Sequence, residues 1–335
     1  MIQPKKIGVL GTGSWGSALA LTMAQQGHPI KLWGHNPHHV EEIKSSRLNP
    51  AYLPGIIFPS NIHLTSDLAE CAEAEVIFFV VPSKFLRSVA AALSQTSPHF
   101  AGTIISCTKG IEHQSGKLMH EVLAEILPRA SMAVLSGPNL AGDIARGLPA
   151  AGVLGCEDPA LTTSLLSIFQ ETSYRAYSSS DIRGIQLGGA LKNIFAIAAA
   201  VSDGLGMGEN AKAGIVTRSL AEMTRLGTAM GGDRQTFSGL SGVGDLMVTC
   251  FSSRSRNYQA GLQLCHGKSA SEIQHSMGMV AEGLPTAQSA QACAQKLDVE
   301  VPIIDAVVDL LHQKKTPQEA MYDLLQRKLR SEEEL

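Results

Sequence analysis

The sequence predicts an α/β domain with a doubly wound, mostly parallel sheet over residues 1–185, followed by an all-α domain over 186–335. Three observations predict it. Short apolar runs alternate with helical stretches through the first half. These runs are continuous, as in strands covered on both faces, and lack the in-out alternation of a half-exposed sheet. Beyond Asp181, strand-like runs stop and helical patterns take over.

Residues 6–11 (KIGVLG) read as a buried strand, followed by the turn GTGSWG and a helix, SALALTMAQQG, ended by Gly27. Further strands are expected at 29–36, 75–83, 103–110 and 131–139, with 150–156 and 173–179 extending the sheet. A long apolar helix-forming segment, GIQLGGALKNIFAIAAAVSDGLG, opens the second half, and helical patterns recur at 211–229, 258–266, 286–297, 303–313 and 316–329. The charged tail KLRSEEEL should fray. There is no repeat and no low-complexity linker, so the junction near 180–190 reads as tight.

Composition narrows the function. The 335 residues can bury a substantial core, and 27 basic against 30 acidic residues leave a net charge of −3, with no field to gather a polyanion. Nucleic acid is not an expected partner. Charged residues make up only 17%, which points to much buried surface within or between chains, and a homodimer is expected. The six cysteines form no CxxC pair and several lie in apolar runs, as reduced thiols of a cytoplasmic protein do. Among eleven histidines, His35, His38 and His39 cluster without metal-ligand spacing, so no metal is expected. Lys5 and Lys6 before IGVLG imitate a secretion signal, but glycines break the apolar run after five residues. No later segment approaches the ~18 apolar residues of a membrane span, so a soluble, intracellular protein is expected.

Gly11, Gly13 and Gly16 form GxGxxG between a strand and a helix, the context that makes this pattern informative. Gly11 permits the turn, Gly13 admits a pyrophosphate to the backbone, and Gly16 lets helix close on strand, with free N–H groups at the helix start facing the anion. Ser14 and Trp15, at the mouth of the turn, are expected to touch the dinucleotide. The acidic residue that would bind the ribose 2′-OH of NAD is missing: Gly34, His35 and Asn36 stand there. Without a carboxylate to repel it, a 2′-phosphate is tolerated and His35 can donate to it, unless His35 is an ordinary loop residue; NADP(H) or NAD(H) is therefore the expected cofactor.

The segments GTGSWGSALA, SCTKGIE (106–112), LSGPNLA (135–141), LGGALKNIFAIAAAVSDGLGMGENAKAG (187–214) and LSGVGDLMVTCFSSRSRNYQAG (240–261) together resemble the bacterial NAD(P)-dependent glycerol-3-phosphate dehydrogenases, over nearly the whole chain. The resemblance implies a Rossmann domain joined to a helical domain. It also implies interconversion of dihydroxyacetone phosphate and sn-glycerol 3-phosphate, the latter for phospholipid synthesis. It places the proton-transfer role on Lys192.

The residue types suit that role. A lysine in an apolar helix loses basicity on burial, and a second cation lowers it further; Lys109, beyond the carboxyl end of a strand, is the candidate neighbour. The competing reading is a lysine snorkelling at a domain surface. Asp245 and Thr249, four apart, face the same way if GDLMVTC is helical. Asp245 then orients Lys192 or the substrate hydroxyl, or alternatively caps a helix after Gly242 and Gly244. A carboxylate would oppose the fall in lysine pKa, so the net shift has no sign at this level. Arg256 and Asn257 enter a helix from a Ser-rich loop, where a guanidinium and helix N–H groups make a phosphate site and Ser255 adds a hydroxyl; Arg254 either shares the task or is a solvated neighbour, and the resemblance favours Arg256. Gly137, Asn139 and Asn193 read as substrate contacts. By resemblance alone, Ala141, Val280 and Glu282, together with Lys109 and Arg256, match positions near the cofactor.

Two other classes fit parts of the pattern. A 3-hydroxy acid dehydrogenase shares the two-domain plan but needs a carboxylate site in place of a phosphate site. A non-catalytic NAD(P)-sensing protein would not need Lys109, Lys192 and Asp245 together. A nucleotide-sugar dehydrogenase would need a catalytic thiol, for which only Cys250 is placed.

Overall fold

The computed structural model describes residues 4–328 and 331. The tail expected to fray lies, apart from Lys328 and Ser331, outside the described residues. The chain divides into two compact units: the first runs to Thr108 and resumes over Met119–Ile182, and the second comprises Lys109–Leu118 and the chain from Arg183 onward.

The first unit is built on ten strands: β1 (Ile7–Leu10), β2 (Ile30–Trp33), β3 (Leu48–Asn49), β4 (Leu53–Ile57), β5 (Ile62–Thr65), β6 (Val76–Phe79), β7 (Thr103–Ser106), β8 (Ser131–Ser136), β9 (Ala150–Gly155) and β10 (Tyr174–Ser179). Eight of them form one sheet in the order β10-β9-β8-β7-β6-β1-β2-β5, parallel throughout except for the antiparallel β8–β9 pair. Strand order reverses at β1, whose neighbours are β2 and β6, so the glycine turn after Leu10 opens at a topological switch point, where such sheets bind ligands. Residues 7–10 and 76–79 are buried along their whole length, the double coverage that their continuous apolarity predicted. Helices α1 (Ser14–Ala24), α2 (Pro37–Ser46), α3 (Leu68–Cys71), α4 (Ser83–Thr96), α5 (Met119–Ile126), α6 (Ala141–Ala145) and α7 (Pro159–Leu166) connect the strands.

Strand β5 and the small β3–β4 hairpin were not expected. IHLT is too short and too polar to announce itself, and Pro54 and Gly55 inside β4 read as loop. The hairpin is tied to the glycine turn: Asn49, fully buried, donates from Nδ2 to the Thr12 carbonyl at 2.8 Å and to Ser17 Oγ at 3.0 Å.

The second unit is helical: α8 (Ile182–Gly204), α9 (Glu209–Ala229), α10 (Asp245–Phe251), α11 (Arg256–Cys265), α12 (Ala270–Met277), α13 (Gly283–Lys296), α14 (Pro302–Leu311) and α15 (Pro317–Leu325). Helix α8 corrects the membrane reading, because it is long and apolar enough to cross a bilayer. Its apolar window is instead wholly buried, with Leu187, Leu191, Phe195 and Ala199 inside the core. The segment Lys109–Leu118, counted with the first domain in the sequence, packs here because Ile111 and Leu118 are buried in this same core. That packing places Lys109 on the helical unit.

Candidate active site

In the second unit, an amine is brought to a carboxylate by backbone contact. Gly188 on α8 lies against the π-helical turn Leu240–Gly244: a Cβ on it would stand 2.5 Å from the Ser241 carbonyl oxygen and 3.3 Å from Gly242 Cα. A Cβ on Gly242 would fall on the Phe237 carbonyl. These two glycines let the turn touch α8, one helical turn before Lys192, and release Asp245 as the first residue of α10. Such turns recur at functional sites.

Lys192 is 7% exposed, so it is not the snorkelling surface lysine. Its Nζ donates to Asp245 Oδ1 at 2.8 Å and to Thr249 Oγ1 at 2.6 Å. Thr249 in turn donates its hydroxyl hydrogen to the Asp245 backbone carbonyl at 2.6 Å, which leaves its lone pairs for the lysine. Asp245 Oδ2 accepts from Lys109 Nζ. The four-residue spacing of Asp245 and Thr249 thus puts both acceptors on one face, and the Asp245 side chain makes no capping bond. Burial lowers the Lys192 ammonium to about 8; Asp245 pulls it back up, and Lys109 adds to the fall. Desolvation wins, which the sequence alone did not decide.

Ser255 caps α11 by accepting from the Tyr258 N–H at 3.3 Å, and Arg256, exposed, opens that helix. The Ser255 O–H hydrogen is still free to be given to an anion, since a cap uses only the oxygen lone pair. Asn257 is buried and committed to the protein: its Nδ2 donates to Asn193 Oδ1 at 2.7 Å, and its Oδ1 accepts from the Gly283 N–H at 2.8 Å. Asn193 also donates to the Gly189 carbonyl. This pair pins α11 to α8 and to the start of α13, immediately after Glu282. The half-buried Val280 and Glu282 lie in the segment entering that helix.

The first unit carries the glycine turn. Gly11 has φ +128°, and its Cβ would stand 2.5 Å from the Val80 carbonyl oxygen; a Cβ on Gly16 would land on the Gly11 carbonyl. By contrast, among the described residues nothing beyond its own chain neighbours lies within 4 Å of a Cβ on Gly13. Open space there, where a pyrophosphate meets the backbone, is what a dinucleotide site requires. Ser14 donates to the Tyr52 carbonyl at 2.7 Å, and the buried Trp15 Nε1 has no acceptor among the described residues. A Cβ on Gly34 would be 2.7 Å from Val40 Cγ2, so a carboxylate does not fit at that position, and exposed His35 follows it. Asn36 is taken up in capping α2. These residues fit a nicotinamide dinucleotide. Gly137 has φ +142° at the end of β8, Asn139 accepts from Tyr174 Oη at 3.1 Å, and Ala141 begins α6. Asn49 and Tyr174 carried no motif in the sequence, since both act through the fold.

Cys250 is fully buried, and its thiol is pushed up to about 12 by that burial, which removes it as a nucleophile.

A doubly wound sheet with a dinucleotide turn, and a helical unit presenting a buried amine to a carboxylate, define a nicotinamide-dependent dehydrogenase. The comparisons narrow the class. Residues 6–162 match the model of the NAD-dependent glycerol-3-phosphate dehydrogenase N-terminus, and residues 181–322 match that of its C-terminus. The chain is 43% identical over 334 residues to a glycerol-3-phosphate dehydrogenase [NAD(P)+] of Nitratidesulfovibrio vulgaris, covering 98% of this chain and 100% of that one. It is likewise 43% identical to the Syntrophotalea carbinolica enzyme of that name, over 97% and 99%. The crystal structure of glycerol-3-phosphate dehydrogenase from Coxiella burnetii superposes with a TM-score of 0.92 at 38% identity, covering 97% and 99%. The chain belongs to the NAD-dependent glycerol-3-phosphate dehydrogenase family.

Proposed function

We propose that this chain interconverts dihydroxyacetone phosphate and sn-glycerol 3-phosphate using NAD(P)(H). The observation that carries the reading is the buried Lys192 amine, held by Asp245 and Thr249 and poised at about 8. The cofactor, when bound, supplies or accepts hydride at the substrate C2. The residues to hold it are Gly11, Gly13, Ser14, Trp15, Gly16 and His35, with Lys109, Ala141, Arg256, Val280 and Glu282 as further contacts.

Reduction of a ketone needs a proton delivered to its oxygen, and oxidation of the alcohol needs the same proton removed. Lys192 does both. Two of its ammonium hydrogens are spent on Asp245 and Thr249; the third has no acceptor among the described residues and is given to the substrate oxygen. Asp245 keeps the amine in place and, between Lys109 and Lys192, leaves the group with one net positive charge, which suits a phosphoester. Arg256 and Ser255 take the phosphate, while Asn193 and Asn257 set the cradle through their mutual hydrogen bond. Gly137 and Asn139 complete the substrate contacts. In this reading most cofactor contacts come from residues 1–185, and the proton-transfer and phosphate groups from 186–335.

The product feeds phospholipid synthesis in the cytoplasm, and the working form is a homodimer, in keeping with a charged fraction of only 17%. Light scattering that returned a monomer mass at every concentration would remove the dimer. Arg256→Ala tests the substrate class. Loss of a charged contact costs about 2–5 kcal/mol, so KM for dihydroxyacetone phosphate should rise at least tenfold in the 340 nm assay. An unchanged KM would favour a hydroxy-acid substrate.

A further inference from the structure

Tyr174 is an aromatic residue of β10 with 1% of its surface exposed, packed against Phe169 at 5.3 Å and Trp15 at 6.2 Å between ring centroids. A phenylalanine would fill this apolar place without a buried hydroxyl to satisfy. Room for the hydroxyl exists only because residue 152, on the neighbouring strand β9, is glycine: a Cβ there would land on Tyr174 Oη and stand 2.8 Å from its Cζ. The hydroxyl then donates to Asn139 Oδ1 at 3.1 Å.

The consequence falls on the other end of the amide. With Oδ1 engaged, Asn139 Nδ2 is buried and has no acceptor among the described residues, and the same is true of Trp15 Nε1, whose ring meets the same tyrosine. Buried donors are ordinarily paired, so one left over beside a ligand site calls for a partner, and a bound ligand is one that can supply the acceptor. One tyrosine therefore neighbours two side chains that each carry an unsatisfied donor, Trp15 on the dinucleotide turn and Asn139 just beyond the end of β8.

We propose that Tyr174, admitted by Gly152, is a positioning residue that fixes the Asn139 amide so that Nδ2 donates to an oxygen of a bound ligand. That oxygen belongs either to the cofactor, as carboxamide, ribose or diphosphate, or to the phosphorylated substrate. The inference rests on the dehydrogenase reading, so wild-type turnover of dihydroxyacetone phosphate is measured first.

The test is Tyr174→Phe, read by calorimetric Kd for NADPH and NADH without substrate, by KM for dihydroxyacetone phosphate at saturating cofactor, and by thermal unfolding. Loss of one orienting hydrogen bond should raise either Kd or KM roughly 5- to 15-fold. A rise in Kd assigns the acceptor to the cofactor, and a rise in KM alone assigns it to the substrate. Asn139→Ala should raise the same quantity at least as far. Gly152→Ala, which displaces the hydroxyl, should do so in the Tyr174 background and have a smaller effect when combined with Tyr174→Phe. Kd and KM equal to wild type, with or without a fall in unfolding temperature, would overturn the proposal and reduce Tyr174 to packing. An inactive wild type would defeat the functional reading instead, and the Kd series would still decide the positioning role toward the cofactor.

Discussion

Lys192 and Thr249 form a donor–acceptor pair 2.6 Å apart, in which the threonine hydroxyl is already spent on the Asp245 carbonyl of its own helix and so faces the lysine only as an acceptor. The amine is thereby gripped at two of its hydrogens, and Asp245 Oδ1 holds the second at 2.8 Å. Grip and burial together fix the amine in place and weaken its hold on its proton, the two properties a proton-transfer group needs.

Removing the amine should abolish the reaction while sparing the cofactor turn. Lys192→Ala is expected to lower kcat by about 10²–10⁴, the usual worth of a positioned acid or base. NADPH binding, followed by cofactor fluorescence, should stay within twofold of wild type. Turnover above a tenth of wild type would remove Lys192 from the reaction.

The acidity of Lys192 gives the two directions of the reaction opposite pH dependence. Oxidation of sn-glycerol 3-phosphate needs the neutral amine, so kcat should rise with pH and level off above about 8. Reduction of dihydroxyacetone phosphate needs the ammonium and should decline through the same region. Profiles of both directions between pH 6 and 10 check this; a common slope would contradict it.

Lys109 contributes to that acidity as a like charge. Lys109→Met should therefore move the oxidation profile to higher pH, by a few tenths of a unit or more, as well as raise KM for the phosphorylated substrate. Loss of the Lys109 ion pair leaves Asp245 to favour the Lys192 ammonium and acts in the same direction, so a profile that moved to lower pH would show that Lys109 does not acidify Lys192 by repulsion.

What could be read in the sequence was whatever depends on near neighbours. Continuous apolar runs marked most strands of the main sheet, the glycine turn marked the switch point, and a lysine inside ALKNIF stood out as an amine in an apolar helix. The capping box of Ser269 and Glu272, with Gly278 in the left-handed conformation, is the local signal for helix α12, which the hydrophobic periodicity does not mark. Other features depend on distant partners. Asn193 and Asn257 look like two free polar side chains until the fold pairs them. Gly152 looks like a weak point in a strand until Tyr174 fills the space above it. The sign of the Lys192 shift required knowing that burial outweighs Asp245, which no spacing reveals.

Glu222 offers a test of the second unit's stability. It is 1% exposed on α9, and its two carboxyl oxygens accept the N–H groups of Ile303 and Ile304, each at 2.9 Å, at the start of α14. Burial pushes the carboxyl up to about 7 despite those two bonds. Because the folded value exceeds the ordinary 4.5, the native chain holds a proton that the unfolded chain releases. Stability from this group is full below about pH 4.5 and declines as pH rises toward 7. Glu222→Gln should flatten that slope in urea unfolding and cost about 1–3 kcal/mol, since an amide nitrogen would face one of the two N–H groups. An unchanged slope would show that the carboxyl titrates near its ordinary value.

Gly13 and Gly16 belong to the same motif but should fail in different ways when given a methyl group. At position 16 the methyl would fall on the Gly11 carbonyl oxygen, inside the turn, so Gly16→Ala must displace either strand or helix and should lower the unfolding temperature together with cofactor affinity. At position 13 no atom of a described residue other than Gly13 and its chain neighbours lies within 4 Å of the added carbon, and the backbone there, with φ −69° and ψ 177°, is open to any residue. Gly13→Ala should therefore fold with a wild-type unfolding temperature. The methyl would occupy the space where the pyrophosphate meets the backbone, so Kd for NADPH should rise tenfold or more. If Gly13→Ala bound cofactor normally, the open space beside residue 13 would not be the pyrophosphate site; if Gly16→Ala were as stable as wild type, the turn would have slack that its close contacts deny.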